Sequence, residues 1–292
     1  MEVAFTHDSI SSINSYGYSP HPLSAYIGYV DAILSCAPEQ SVKPFIMSIT
    51  SSSPISLASM LDAIQELRAK FHDAEGTTSR IGIELNTSCP NIKGSPPPAY
   101  SMPDLVPILD VLAGYFWTDP TLTIGLKLPP YLYSTQFDEL VRCIATYSRS
   151  DPQDDSRRAN PFAFLASTNT LGQTLFFAEQ AAPFPGQSVA APSNGGAATP
   201  AIFAVPTGLG GMAGEALHPL ALGNVYTLRR LLDAHADASL CDILIIGVGG
   251  VTTQEAHARM RKAGAAVVGC ATILVREGVA VFERLSISRD DD

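Results

Sequence analysis

Between residues 84 and 94 the chain reads Glu84-Leu85-Asn86-Thr87-Ser88-Cys89-Pro90-Asn91-Ile92-Lys93-Gly94, which sets one thiol between two carboxamides just past an apolar run, Ile81 to Leu85. A carboxamide offers a donor and an acceptor on one planar group, and a thiolate accepts a proton. Together they suit proton abstraction from a flat heterocycle with imide or amide edges, a pyrimidine-like ring, and so point to redox chemistry on a small molecule. Free cysteines as a class simply pack. Cys89 stands apart, between Ser88 and Pro90 in a polar turn, whereas Cys36, Cys143, Cys241 and Cys270 are read as packing residues.

Such a turn needs a rigid scaffold behind it. Short apolar runs, many rich in β-branched residues, recur at Phe45 to Ile49, Ile81 to Leu85, Leu122 to Leu126, Phe162 to Ala166, Ile243 to Ile246 and Ala265 to Cys270, giving about six candidate core strands. Amphipathic stretches alternate with them. The clearest places Leu57, Met60, Leu61, Ile64 and Leu67 on one stripe, with Glu66, Arg68 and Lys70 largely off it. Others cover Leu105 to Phe116, Phe137 to Tyr147, Pro219 to His235 and Gln254 to Ala263. Continuous apolar strands separated by helices imply an α/β fold with a parallel sheet, and at this length a (β/α)8 TIM barrel is the expected closed form, about two strands short of eight. One domain, residues 1–292, is expected, interrupted by exposed, mobile insertions at about 148–160 and 182–199.

With 292 residues and 46% hydrophobic side chains the chain can bury a large core. A net charge of -10 argues against nucleic acid or an anionic membrane as partner. No apolar run approaches the roughly 20 residues that span a bilayer, and the first residues carry neither a signal nor a transit pattern, so a cytoplasmic protein is expected. The five cysteines are odd in number, widely spaced and without a CxxC pair, and the six histidines lack ligand spacing; neither a disulfide framework nor a metal site is expected. The histidines are read as structural or surface residues.

Lys127 sits at the end of an otherwise apolar strand, where an unpaired buried charge costs several kcal/mol, so a functional role is the better explanation. Taken together, Asn14-Ser15-Tyr16-Gly17, the Asn86 to Asn91 segment, Gly125-Leu126-Lys127-Leu128-Pro129-Pro130, Gly208 to Pro219 and Ile245-Ile246-Gly247-Val248-Gly249-Gly250 resemble the class 1A dihydroorotate dehydrogenases, in the family's order and over nearly the whole chain. The resemblance implies a barrel holding FMN, oxidation of dihydroorotate to orotate in pyrimidine synthesis, fumarate as acceptor, and a homodimer.

By the same resemblance Cys89 is the base that takes the C5 proton while hydride leaves C6 for the flavin N5. Asn14, Asn86, Asn91 and Asn169 bind the substrate, with Tyr16, Gly17, Tyr18 and Thr170 beside them; individually each asparagine is equally a turn-former. Lys127 and Thr168 serve the flavin, and Gly214, Gly249, Gly250, Ala271 and Thr272 hold its phosphate, through backbone N–H groups and a helix N-terminus. Ala271 departs from the family's glycine, and its methyl is expected to crowd that contact. The family also opens with two further strands, carrying a small-residue loop for FMN and a lysine that touches flavin and substrate. These are not found in the sequence, so an N-terminally incomplete barrel with two unpaired edges is expected. Two other readings stay open: an impaired or non-catalytic chain acting through an intact partner, and a related flavin enzyme for another pyrimidine, against which stand the Asn14 loop and the absence of iron–sulfur cysteine clusters.

Overall fold

The structure, a computed structural model, describes residues 2–17, 19–36, 43–75, 79–88, 97–152, 154–182 and 201–285. The apolar runs are strands: β1 (Phe45–Ile49), β2 (Ile81–Asn86), β3 (Ile124–Leu128), β4 (Phe162–Ser167), β5 (Leu244–Val248) and β6 (Val267–Gly269). They form one sheet in the order β6-β5-β4-β3-β2-β1, all parallel. Neighbours in sequence are neighbours in space, so every connection crosses back and all six C-terminal ends gather at one rim. Among the described residues β1 and β6 each pair on one side only, which leaves an α/β sheet with two edges and no closed ring.

The two faces of the sheet differ because side chains alternate along a strand. One face presents Met47, Ile49, Ile83, Leu85, Leu126, Leu165 and Ile245 to the helices in a continuous apolar core. Each such burial contributes about 1.5–3 kcal/mol. Register assigns the other face: Glu84 pairs with Gly125, Asn86 with Lys127, and Lys127 with Ala166. Ile46, Leu244 and Val267 share this second face and are about half exposed, at 49%, 49% and 51%.

Helices α1 (Leu23–Cys36), α2 (Pro54–Lys70), α3 (Met102–Thr118), α4 (Ser134–Ala145), α5 (His218–Asp233) and α6 (Gln254–Lys262) accompany the sheet. In α2 the Ser53 hydroxyl accepts from the Ser56 N–H and Pro54 occupies the first turn, where its missing N–H costs nothing. Its buried stripe is Leu57, Leu61, Ile64 and Leu67, as periodicity requires. Arg68 corrects the sequence reading: it is 1% exposed rather than off the stripe, because its guanidinium is paired with Asp73 and Asp119.

A second, antiparallel sheet was not foreseen. Its order is Ala181–Ala182, Val3–Thr6, Ser11–Asn14, Leu209–Gly214, Leu171–Leu175. Pairing Gly211 with Asn14 and Gly214 with Ser11 carries the N-terminal hairpin to the rim of the parallel sheet. Residues 148–160, expected as a loose insertion, form a hairpin (Arg149–Asp151 with Asp154–Ala159) that is largely exposed yet tied down by Arg158, 2.9 Å from Asp237. Residues 183–199 lie outside the described residues. Two cysteines depart from the packing expectation: Cys36 and Cys241 are exposed, while Cys143 and Cys270 are half-buried and burial pushes both thiols up.

Candidate active site

At the rim, β2 ends on Asn86 and β4 runs into Thr168, Asn169 and Thr170. The Asn86 Oδ1 accepts from the Ser88 N–H and hydroxyl, both at 3.2 Å, and from the Asn169 amide at 3.3 Å. Asn169 also donates to the Ser88 Oγ at 2.9 Å, and its own N–H is held by the Leu128 carbonyl at 2.8 Å. Ser88, 1% exposed, is therefore the hub that fixes two carboxamides side by side. Sequence reasoning passed over it, although it lies inside the thiol segment. Thr87 ties that segment to β3, its N–H and hydroxyl both meeting the Lys127 carbonyl.

Beyond Asn169 lies a small, half-open cavity of about 80 Å³. Lys127, Thr168, Asn169 and Thr170 line one part of it; Gly214, Gly249, Gly250, Ala271 and Thr272 line the rest. The Lys127 ammonium has no ion-pair partner among the described residues. The hydroxyls of Ser167 and Thr168 are buried without a hydrogen-bond partner, an arrangement proteins generally avoid unless something else satisfies them. The backbone N–H groups of Gly249, Gly250 and Thr272 likewise meet no acceptor among the described residues. One ammonium, the unpartnered Thr168 hydroxyl and several backbone donors around an apolar-walled cleft suit a flat, partly anionic ligand with a hydrogen-bonding ring and a phosphate.

The glycines have structural reasons of their own. At Gly214 a Cβ would stand 2.1 Å from the Ile10 carbonyl, and at Gly250 2.6 Å from the Gly214 carbonyl. Both have φ in the left-handed region, +83° and +65°. Ala271 is ordinary by comparison: at φ -126° nothing in its backbone demands glycine. Thr272 is buried and its hydroxyl lies 3.5 Å from that of Ser12 on the antiparallel sheet.

The structure thus brings Lys127, Thr168, Asn169, Thr170, Gly214, Gly249, Gly250, Ala271 and Thr272 together, and Asn86 touches the group through Asn169. It does not bring in Asn14: that amide donates to the Gly211 carbonyl and accepts from the Tyr16 N–H, the turn-forming use of asparagine, and neither Tyr16 nor Gly17 lines the cavity. Tyr18, Cys89 and Asn91 lie outside the described residues. Among the described residues no cluster of three or more His, Cys, Asp or Glu is placed to hold a metal ion, and no helix is long and apolar enough to cross a membrane.

Comparison with known proteins adds independent findings. Residues 186–288 match the family model described as dihydroorotate dehydrogenase. The chain is 30% identical over 277 residues to a probable dihydroorotate dehydrogenase A (fumarate) of Streptococcus pneumoniae serotype 4, covering 95% of this chain and 71% of that protein. A putative dihydroorotate dehydrogenase A (fumarate) of Streptococcus equi is 29% identical over 290 residues, 99% of this chain and 75% of the relative.

Proposed function

The chain belongs to the dihydroorotate dehydrogenase family, and from that premise we propose that it oxidises dihydroorotate to orotate in pyrimidine synthesis, with FMN as cofactor and fumarate as final acceptor. The observation that carries the reading is the shared cavity, in which a lysine, an amide and the unpartnered Thr168 hydroxyl meet a turn of free backbone N–H groups. FMN, when bound, supplies the acceptor for the hydride that leaves C6.

The protein's own work is proton removal and orientation. Cys89 takes the C5 proton, so that loss of a proton at C5 and a hydride at C6 leaves the C5=C6 double bond of orotate. Asn86 and Asn169, with Asn91, read the donor and acceptor edges of the ring, and Thr170 stands beside them. Asn14, Tyr16, Gly17 and Tyr18 join them by resemblance alone, since Asn14, Tyr16 and Gly17 lie off the cavity. Lys127 and Thr168 hold the flavin ring, and Gly214, Gly249, Gly250, Ala271 and Thr272 receive the phosphate. A lysine ammonium beside a reduced, anionic flavin stabilises that charge. Lys127→Ala is accordingly expected to weaken FMN binding at least tenfold or to make the bound flavin harder to reduce; unchanged affinity together with an unchanged potential would contradict the role, where one well-placed charge-assisted bond is worth about 1.5–3 kcal/mol.

We read the sheet as six strands of a (β/α)8 barrel in a single domain spanning 1–292. Its all-parallel sequential order supports this, as do Ile46, Leu244 and Val267, half exposed on the face that closure of a barrel covers. That same surface favours a second reading, a chain impaired alone and completed by an intact partner. Turnover by the isolated chain decides between them. A cytoplasmic homodimer completes the proposal, and sedimentation of the purified protein as a monomer would remove that part of it. The whole reading is tested by orotate titration of FMN-loaded protein: a saturable perturbation of the flavin spectrum is expected, and none at any concentration overturns it.

A further inference from the structure

His218 opens helix α5 inside the Gly208 to Pro219 stretch and is 7% exposed, yet the sequence alone reads it as a structural or surface residue. Its Nδ1 lies 2.8 Å from the Gly249 carbonyl oxygen, and its Nε2 lies 3.3 Å from the Arg259 Nε. A carbonyl only accepts and a guanidinium only donates. The two partners therefore demand one state of the ring: neutral, with the proton on Nδ1 and the lone pair of Nε2 turned to Arg259. The base of the His218 side chain also packs against the residue after Gly249, since a Cβ on Gly250 would stand 2.6 Å from the His218 Cβ.

The consequence follows from the geometry of a peptide unit. The Gly249 C=O and the Gly250 N–H belong to the same planar trans unit and point in opposite directions. Fastening the oxygen to His218 directs that N–H away from the imidazole. Gly250 lines the cavity, His218 does not, and the N–H has no acceptor among the described residues.

We propose that His218, backed by Arg259, is a positioning residue that aims the Gly249–Gly250 turn at the phosphate end of the flavin, and so gives the site its preference for the phosphorylated over the unphosphorylated cofactor. The inference rests on the FMN reading of the cavity. Arg259 supplies more than a hydrogen bond, because its fixed positive charge behind the turn favours an anion in front of it.

Flavin-fluorescence titrations of the wild type with FMN and with riboflavin, repeated on Arg259→Ala, His218→Asn and His218→Ala, separate the possibilities. Loss of a hydrogen bond that aims the turn predicts that His218→Ala weakens FMN binding about tenfold and riboflavin binding by less than about twofold. Arg259→Ala, an exposed position, is expected to show the same selectivity at roughly threefold. His218→Asn, which keeps a donor for the Gly249 carbonyl, recovers most of the loss. Should His218→Ala fail to give a cooperative melt, the other two variants decide. FMN and riboflavin affinities that fall in parallel, or that do not move, overturn the inference and leave the flavin reading standing. A wild type that binds riboflavin but favours FMN by less than about twofold also overturns it, and one that takes up neither flavin overturns both.

Discussion

Replacing Cys89 by serine is expected to slow flavin reduction by dihydroorotate roughly 10²–10⁴-fold near neutral pH, the usual range for a lost general base, while FMN affinity stays within about twofold. A thiol has a reference pKa of about 8.5, so a small fraction is already the reactive base at neutral pH and a modest stabilisation of thiolate enlarges it. A serine hydroxyl loses its proton only to a strong partner. The wild-type rate of reduction should therefore climb with pH through the thiol range, and the variant should lack that rise. Anaerobic stopped-flow traces across pH test both statements. Equal bleaching rates in the two proteins would remove Cys89 from the mechanism.

The largest expected effect on stability lies far from the rim. Arg68 places its Nε 2.9 Å from Asp73 and its Nη1 2.8 Å from Asp119, and donates further to Gln65 and Thr121. Asp73 is itself 1% exposed in its side chain and also accepts from Ser79 and the Arg80 N–H, so the cluster joins the end of α2 to the segments entering β2 and β3. Arg68→Met keeps the volume but strands a buried carboxylate, which costs about 3–5 kcal/mol. Against a total near 5–15 kcal/mol this is most of the margin. Chemical denaturation should register it as a large drop in midpoint; a loss below about 1 kcal/mol would show that the network is dispensable.

The same cluster sets an acid limit. Burial raises the Asp119 pKa, but hydrogen bonds from Gln65, Thr121 and Arg68 outweigh it and bring the group to about 2. For Asp73 burial is likewise outweighed, by the Arg80 N–H, Ser79 and Arg68, and its pKa is lowered. A carboxyl depressed in the folded state contributes stability that is complete above its unfolded pKa of about 3.9 and drains away as pH falls through the folded value. The wild type should thus lose stability steeply between about pH 4 and 2. Arg68→Met should start lower and fall less steeply; a wild-type denaturation midpoint flat across that window would contradict the assignment.

What was legible in the chain, and what was not, follows from the range of the interactions. The parallel strands announce themselves in runs such as Phe162 to Ala166, because a strand covered on both sides reads as near-continuously apolar. The antiparallel sheet gives no such signal: Ser11–Asn14 and Leu209–Gly214 are short, small-residue strands, joined across nearly 200 positions by contacts such as Asn14 to Gly211. Lys127 was visible because a cation in an apolar strand is costly. Ser88 and His218 were not, since their roles exist only as hydrogen bonds to Asn169 and Gly249. Arg68 was misread for a related reason, as a helical pattern shows which side a residue faces but not the carboxylates waiting there.

Anaerobic mixing of the isolated, FMN-loaded chain with dihydroorotate addresses the central claim most directly. The account predicts that the flavin absorbance bleaches while stoichiometric orotate appears, and that fumarate restores the colour. Flavin that stays oxidised in the presence of saturating dihydroorotate, in protein shown to bind FMN, would contradict it.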